Sequence, residues 1–371
     1  MPDGYSEMIT ARLEDYCCLA GRGSRLICGM KWVRCPCLLI VLALLAVSCV
    51  SAHEDAPSPG RYEFHQTEMG VPFRIVLYAL SQNSAEGAAA AAFQRVKQLN
   101  DIMTDYDSDS ELSRLSQTSG QHQAVAVSPD LWVVLARAQE LAQRSQGAFD
   151  VTVGPYVNLW RFARSQGKPP DPARLAKARL AVGYAKMQLD AAQHTVKLLA
   201  PNMRLDLGGI AKGYAVDQAV KCLSRLGITS ALVSGGGDMA VSGPPPGKEG
   251  WRIELPPLDA SNAPLTRFVV LSQAGISTSG DLFQRLEING VRYSHIIDPR
   301  TGVGLTDHSL VTVIAPDDFT ADGLTKVMSV LDPKDALKFI AKTPDAAVRI
   351  VRKPGDKIEA YESQGFRKYY E

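Results

Sequence analysis

Between Asp206 and Asp217 the chain reads DLGGIAKGYAVD, a carboxylate, two adjacent glycines and a lysine at the entrance to a stretch with helical apolar spacing. These residue types suit the gripping of a phosphorylated ligand. Backbone at Gly208 and Gly209 can approach a ligand closely, the unpaired amides of a first helical turn favour negative charge, and Lys212 adds a cation. The same segment would also serve as a glycine-kinked strand-to-helix turn with a solvated lysine, so taken alone it leaves the chemistry open. Seven further polar clusters stand out: MGVPF at 69–73, MTDYDSDSELSRL at 103–115, GAFDVTVGPYVNLW at 147–160, SGGGDMAVSG at 234–243, STSGD at 277–281, YSHIIDPRTG at 293–302 and ADGLTK at 321–326. Each falls at the boundary of an expected element, where ligand sites concentrate.

The elements that must position these clusters alternate between strands and helices. Phe73 to Ala79 reads as a strand, and Ser84 is the expected cap of an alanine-rich helix with Ala88, Ala92, Val96 and Leu99 on one face. Ser128 and Pro129 open a second helix that buries Leu131, Val134, Leu135, Ala138 and Leu141 and stops at Gly147. Lys168 to Pro172 is a loop, and a third helix runs from about Ile210 to Leu226. Thereafter strands dominate, at 229–234, 251–255, 267–271, 291–297 and 310–315, before two helices near 319–342 and a closing hairpin. No strict βαβ repeat and no internal period are present, so the pattern predicts a mixed α+β fold.

Residues 1–29 lack helical or strand periodicity. Met30 then opens MKWVRCPCLLIVLALLAVSCVSA, in which Lys31 and Arg34 precede an apolar run from Leu38 to Val47. This is the pattern of a secretory signal peptide over 30–52, with 1–29 expected to stem from a start codon assigned too far upstream. The run is well short of the roughly 20 residues that cross a bilayer. Val50-Ser51-Ala52 offers a cleavage site before His53, while Ala46-Val-Ser-Cys49 resembles a lipobox, so an exported protein and one anchored to a membrane through Cys49 both remain open. A polar linker, 53–60, would lead into a folded body spanning 61–371. Without residues 1–52 the chain keeps 35 of its 40 lysines and arginines and 35 of its 39 acids, a balance that gives no electrostatic reason to expect nucleic acid. Only Cys222 of seven cysteines is left, at an apolar helix position suited to packing, so the body must be stabilised by its core.

Taken in order, the eight clusters resemble the ApbE family of FAD:protein FMN transferases, and the resemblance covers nearly the whole of the exported chain. It implies a mixed α/β fold of two lobes with FAD in the cleft between them. The implied reaction cleaves the FAD pyrophosphate, joins FMN through a phosphoester bond to a threonine of an exported acceptor carrying a DGxTSAT-like motif, and releases AMP with the help of Mg2+. The protein would then work in the periplasm or on a membrane facing it. By matched position, Met69, Tyr106, Ala148, Phe149, Asp150, Asp206, Lys212 and Ile296 are implied to contact FAD. His295 is implied to contact FAD as well and to act as the base that takes the proton of the incoming hydroxyl. Ser279 and Asp281 would support the same pocket.

Gly209, through its backbone carbonyl, and Asp322 carry over as metal ligands, with Asp322 also counted as catalytic. Here the chain departs from the family pattern. The family's segment has a threonine four residues after the aspartate, whereas this chain has Lys326, and Thr325 is displaced by one position, about 100° around a helix and expected to point away. Either Mg2+ binds with Asp322, the Gly209 carbonyl, phosphate oxygens and water, or Lys326 pairs with Asp322 and stands in for part of the metal charge. The expectation is a reduced but real Mg2+ dependence. Two other activities remain compatible with these residues: an FAD pyrophosphatase giving FMN and AMP, and a non-catalytic flavin-binding lipoprotein.

Overall fold

In the strand VPFRIVLYA, Phe73, Ile75 and Leu77 face one way and Val76 the other, and both sets are buried. A strand with two buried faces belongs inside a sheet covered on both sides, and the fold supplies such a sheet. The computed structural model describes residues 58–258, 267–280, 285–355 and 357–371. The upstream extension, the signal segment with Cys49, most of the linker and Asp281 lie outside the described residues.

Eight strands form the main sheet: β1 (Gly60–Glu68), β2 (Val71–Ala79), β3 (Ala231–Gly235), β4 (Asp238–Val241), β5 (Ala274–Gly280), β6 (Ser309–Ala315), β7 (Ala347–Arg352) and β8 (Glu359–Glu362). They lie side by side in chain order, and every neighbouring pair is antiparallel. Most of the polar clusters sit at the turns and in the insertions of this meander, whereas residues 277–280 lie within β5 itself.

Among the described residues the α-helices are α1 (Gln82–Met103), α2 (Glu111–Gln117), α3 (Pro129–Arg144), α4 (Gly154–Gln166), α5 (Pro172–Arg179), α6 (Ala211–Arg225), α7 (Asp318–Val330) and α8 (Pro333–Ile340). None is long and apolar enough to cross a membrane. α1 packs on α6, and α7 lies against α6, β5 and β6, so one face of the sheet closes over Val233, Val311 and Val313. The opposite face buries Val76, Leu232, Ile276 and Ile314 beneath a two-stranded ribbon, 251–255 paired with 267–271, and beneath Phe366.

The described elements agree with the expected mixed α+β class, with local differences. The alanine-rich helix begins three residues before the expected cap: Ser81 is the N-cap and its hydroxyl accepts from Ser84 N at 3.3 Å. The strand expected over 291–297 is broken into Val291–Ser294 and Ile297–Asp298 by a bend at His295. α4, β1 and the interior strand β5 were not expected at all.

Candidate functional site

α6 and α7 finish each other's N-termini. The α6 N-cap, Ile210, has no side chain able to accept, and the buried first-turn amide of Gly213 donates instead to Asp322 Oδ2 on α7 at 3.0 Å. In return Asp217 of α6 accepts from the Asp318 and Phe319 amides at the start of α7, at 3.0 and 2.8 Å. Each carboxylate thus satisfies donors that a helix leaves unpaired. The helices can approach this closely because residue 213 is glycine: a Cβ there would lie 2.4 Å from Asp318 O and 2.7 Å from Asp322 Cβ.

A charged cluster fills the contact. Lys212 Nζ lies 2.7 Å from Asp238 Oδ2 on β4 and 3.9 Å from Asp322 Oδ2. Asp238 is held in turn by Ser277 Oγ, which donates across the strand pair at 2.6 Å. Lys326 Nζ donates to Asp322 Oδ1 and, at 3.1 Å, to Thr325 Oγ1. Burial alone would lower the lysine pKa of Lys212, but Asp238 and Asp322 outweigh it and hold the group above its usual range. Burial likewise opposes the charge on Asp322, yet Lys212, Lys326 and the Gly213 amide keep its pKa below the usual carboxylate value. Asp318 goes the other way: it is fully buried, neither oxygen has a hydrogen-bond partner, and burial together with Asp238, Asp217 and Asp322 pushes it well above the carboxylate range. Of the carboxyls in the cluster it is the one driven toward its neutral form most strongly by its surroundings.

Three of the sequence clusters meet at Gly209. A Cβ at that position would lie 3.3 Å from Lys326 Cγ and 3.4 Å from Phe149 Cε2, so GAFD, DLGGIAKG and ADGLTK pack directly on one another. Ala148, Phe149 and Asp150 are all buried. The Asp150 carboxylate accepts from the Thr152 amide and hydroxyl at 2.8 and 2.7 Å, with burial raising its pKa, so its visible work is to brace this turn.

A second group lies just upstream of Gly209. Asp206 accepts from Gly208 N at 2.9 Å and from Arg161 Nη2 of α4 at 3.2 Å. Burial and the nearby Asp105 raise its pKa against those donors. Arg161 also bridges to Asp105 at 2.5 Å and stacks 4.2 Å from the ring centroid of Tyr106, which is 80% exposed. An aromatic face presented on a fixed guanidinium is a natural platform for a flat heterocycle. Met69 sits with Gly70 in the two-residue turn between β1 and β2, both at positive φ (50° and 73°) and flanked by the pair Glu68 and Val71. Gly236 lies against Val71, so the Met69 turn shares one end of the sheet with the turn that leads into Asp238.

His295 is exposed at the bend between its two short strands, and Ile296 behind it is buried, with its amide bonded to Ser294 Oγ at 3.1 Å. This ribbon is anchored on α4: Tyr293 packs on Trp160 at 5.1 Å between ring centroids, and the Trp160 indole donates to Gly302 O at 2.8 Å. Asp298 holds Arg300 through both carboxylate oxygens at 2.9 Å.

Thr325 corrects the sequence expectation. It is fully buried and is not turned away: its hydroxyl donates to Asp322 O at 2.7 Å and receives Lys326, which leaves Ser279 Oγ, at 2.9 Å, as a further donor to it. One proton given and two accepted saturate a hydroxyl. The donor set therefore does not fit Mg2+. Both Asp322 oxygens are engaged, Thr325 has no lone pair to offer, an ammonium stands where a ligand would be needed, and the Gly209 carbonyl cannot supply an octahedral shell. Among the described residues no three His, Cys, Asp or Glu side chains converge as they would around a metal.

Sequence reasoning missed Asp238, Asp318, Asp105 and Arg161 as members of the site. All four lay within or beside the polar clusters, and a carboxylate in a glycine-rich turn, as in GGGD, was a usable signal for Asp238.

Comparison with known proteins bears on this arrangement. A model described as the ApbE family matches residues 69–350. The chain is 34% identical over 282 residues to the FAD:protein FMN transferase of Haemophilus influenzae, covering 74% of this chain and 81% of that protein. It is 30% identical over 348 residues to the FAD:protein FMN transferase of Salmonella typhimurium, covering 92% and 98%. Among solved structures, the flavin transferase ApbE from Vibrio cholerae superposes with a TM-score of 0.76 at 29% identity, covering 84% of this chain and 99% of that one. The apo form of the Pseudomonas stutzeri flavinyl transferase ApbE gives 0.74 at 28%, covering 85% and 98%.

Proposed function

The chain belongs to the ApbE family, and on that premise we propose that it is an FAD:protein FMN transferase that modifies a threonine of an exported acceptor. What carries the reading is the packing of Phe149 and Lys326 on Gly209, which gathers three separate clusters around one helix entrance beside two half-buried cations. Relatives named FAD:protein FMN transferase along most of the chain support the same reaction.

In this reading the isoalloxazine or adenine of FAD stacks on Tyr106, Met69 and Ile296 line the flavin, and the pyrophosphate lies over the Gly208–Gly209 turn, in a cleft between two lobes. The acceptor's threonine Oγ attacks the phosphorus of the FMN half, the bond from that phosphorus to the bridging oxygen breaks, AMP leaves with that oxygen, and the hydroxyl proton passes to His295. Lys212 and Lys326 offset the phosphate charge, and Asp238 and Asp322 fix both ammoniums in place before the ligand arrives. Mg2+, which the family resemblance brings with it, is given no step, because the donors at Asp322 do not suit it.

The reading places the enzyme outside the cytoplasm, secreted to the periplasm or held at a membrane through Cys49, and the signal pattern at 30–52 supports it. The deciding experiment incubates the purified protein with FAD and a DGxTSAT-type peptide and reads the products by mass spectrometry. Peptide carrying FMN is the expected result; free FMN with unmodified peptide would make it a pyrophosphatase, and unchanged FAD a flavin binder.

A further inference from the structure

Lys326 is placed with unusual definition for a lysine. Its stem runs along the backbone of Gly209, where a Cβ would come within 3.3 Å of Cγ and 3.7 Å of Cε, so a side chain there would press on the lysine stem. Its ammonium is fixed by Asp322 Oδ1 and by Thr325 Oγ1. An ammonium has three protons to donate, and these two partners use two. The side chain keeps 14% of its surface exposed, enough to offer the third to an incoming anion at the helix entrance.

Both ammoniums here are already paired with carboxylates. Lys212 and Lys326 face the carboxylates of Asp238 and Asp322, and the remaining acid, Asp318, is sealed in without any donor to its oxygens. A divalent ion would have to break the Lys326–Asp322 pair, approach two ammoniums, and find its oxygen shell among groups that are already engaged.

We infer that the Lys326 ammonium takes the place of a divalent cation at the FAD pyrophosphate, so that FMN transfer by this chain runs with no metal bound at Asp322. The inference rests on the transferase reading above and deepens it: the lysine's free proton bonds a non-bridging oxygen of the phosphoryl group while the threonine Oγ–phosphorus bond forms, the bridging phosphorus–oxygen bond breaks, and AMP departs. One fixed positive charge then meets the charge that an ion would otherwise meet.

The test combines binding, metal retention and transfer on the purified protein. FAD affinity is measured by calorimetry in EDTA, Mn2+ retention by electron paramagnetic resonance with and without FAD, and transfer to the DGxTSAT-type peptide in EDTA and in Mg2+. FAD binding in EDTA, no protein-bound Mn2+ signal, and equal transfer rates in EDTA and Mg2+ are the expected results. Transfer that needs Mg2+ would overturn the inference and leave the transferase reading standing. FAD bound without transfer in either condition would overturn the inference, whereas failure to bind FAD at all would remove the reading beneath it. Two variants separate charge from shape. Lys326→Arg should keep measurable transfer in EDTA, and Lys326→Met should lose at least about tenfold. Lys326→Thr should acquire a protein-bound Mn2+ signal; if it retains Mn2+ no better than the parent protein, the lysine is not what excludes the metal and the inference fails.

Discussion

The cluster of Lys212, Asp238, Asp322 and Lys326 and the ribbon that carries His295 are held in opposite ways. Every charged group of the cluster has two or more partners, drawn from α6, α7, β4 and β5, and the carboxylates are buried. The histidine sits exposed on a bend whose attachment to the body is largely apolar, through Tyr156, Trp160 and Ile297 against α4. In the proposed reaction the charges that meet the pyrophosphate are therefore fixed in advance, which spares reorganisation when the ligand arrives. The proton acceptor of that proposed reaction, His295, is thus presented at the surface of a ribbon anchored on α4.

Breaking the cluster should cost the most. Asp322→Ala leaves Lys212, Lys326 and the Gly213 amide without their shared acceptor, and removing one partner of a buried pair typically costs about 3–5 kcal/mol. Chemical denaturation should show that loss, with transfer abolished; a stability change as small as that of a surface substitution would show that the cluster is not over-determined. His295→Ala should separate the two regions in the other direction. Transfer should fall by about 10²–10⁴-fold, as for loss of a general base, with the FAD affinity and the thermal midpoint nearly unmoved. A histidine that served the fold would instead lower the midpoint.

Asp217 sharpens the contrast through pH. Burial raises its pKa from 3.8 to about 6. An acid with a raised folded pKa binds its proton more tightly folded than unfolded, so its contribution is fully present below 3.8 and is lost as pH rises through about 6. The loss is roughly 3 kcal/mol across that window. Asp322, with a lowered pKa, has the opposite sign, its contribution being present above the usual carboxylate pKa and lost in more acidic solution. Stability measured against pH should fall between about pH 4 and 6 in the parent protein and flatten in Asp217→Asn. The smallest effect is expected at the exposed rim. Tyr106→Ala removes a ring stacked on Arg161 and should change stability by only about 0.5–1 kcal/mol, while weakening FAD binding.

Much of the site was legible in the sequence because its residues sit in short clusters with distinct chemistry. Phe149, Gly209, Lys212, Asp322 and Lys326 were picked out from motif position, and the fold does bring them together. Partners that arise from sheet pairing were not legible. Asp238 meets Ser277 because β4 and β5 are neighbours in register, and no local signal in either segment says so. β5 itself, AGISTSG, escaped notice because an interior strand normally reads as apolar and β-branched. Its serines are consumed by neighbouring elements, Ser277 by Asp238 of β4 and Ser279 by Thr325 of α7. α4 was hidden by the polar residues Asn158, Arg161 and Arg164, of which Arg164 is exposed and Arg161 is paired with Asp105 and Asp206. Thr325 was misplaced by helical-wheel reasoning. A rotation of about 100° moved it from the expected ligand direction, but α7 is so enclosed that its new direction is also interior.

The exchange of carboxylates between α6 and α7 has a consequence for how this part of the molecule is made. Asp317 caps Thr320 within α7, but the Asp318 and Phe319 amides wait for Asp217, as the Gly213 amide of α6 waits for Asp322. Each start is thus incomplete until the other element has docked, and the pair must assemble in one step. The amide protons of Gly213, Asp318 and Phe319 should accordingly exchange with solvent through a common opening event, although more than a hundred positions separate the first from the last.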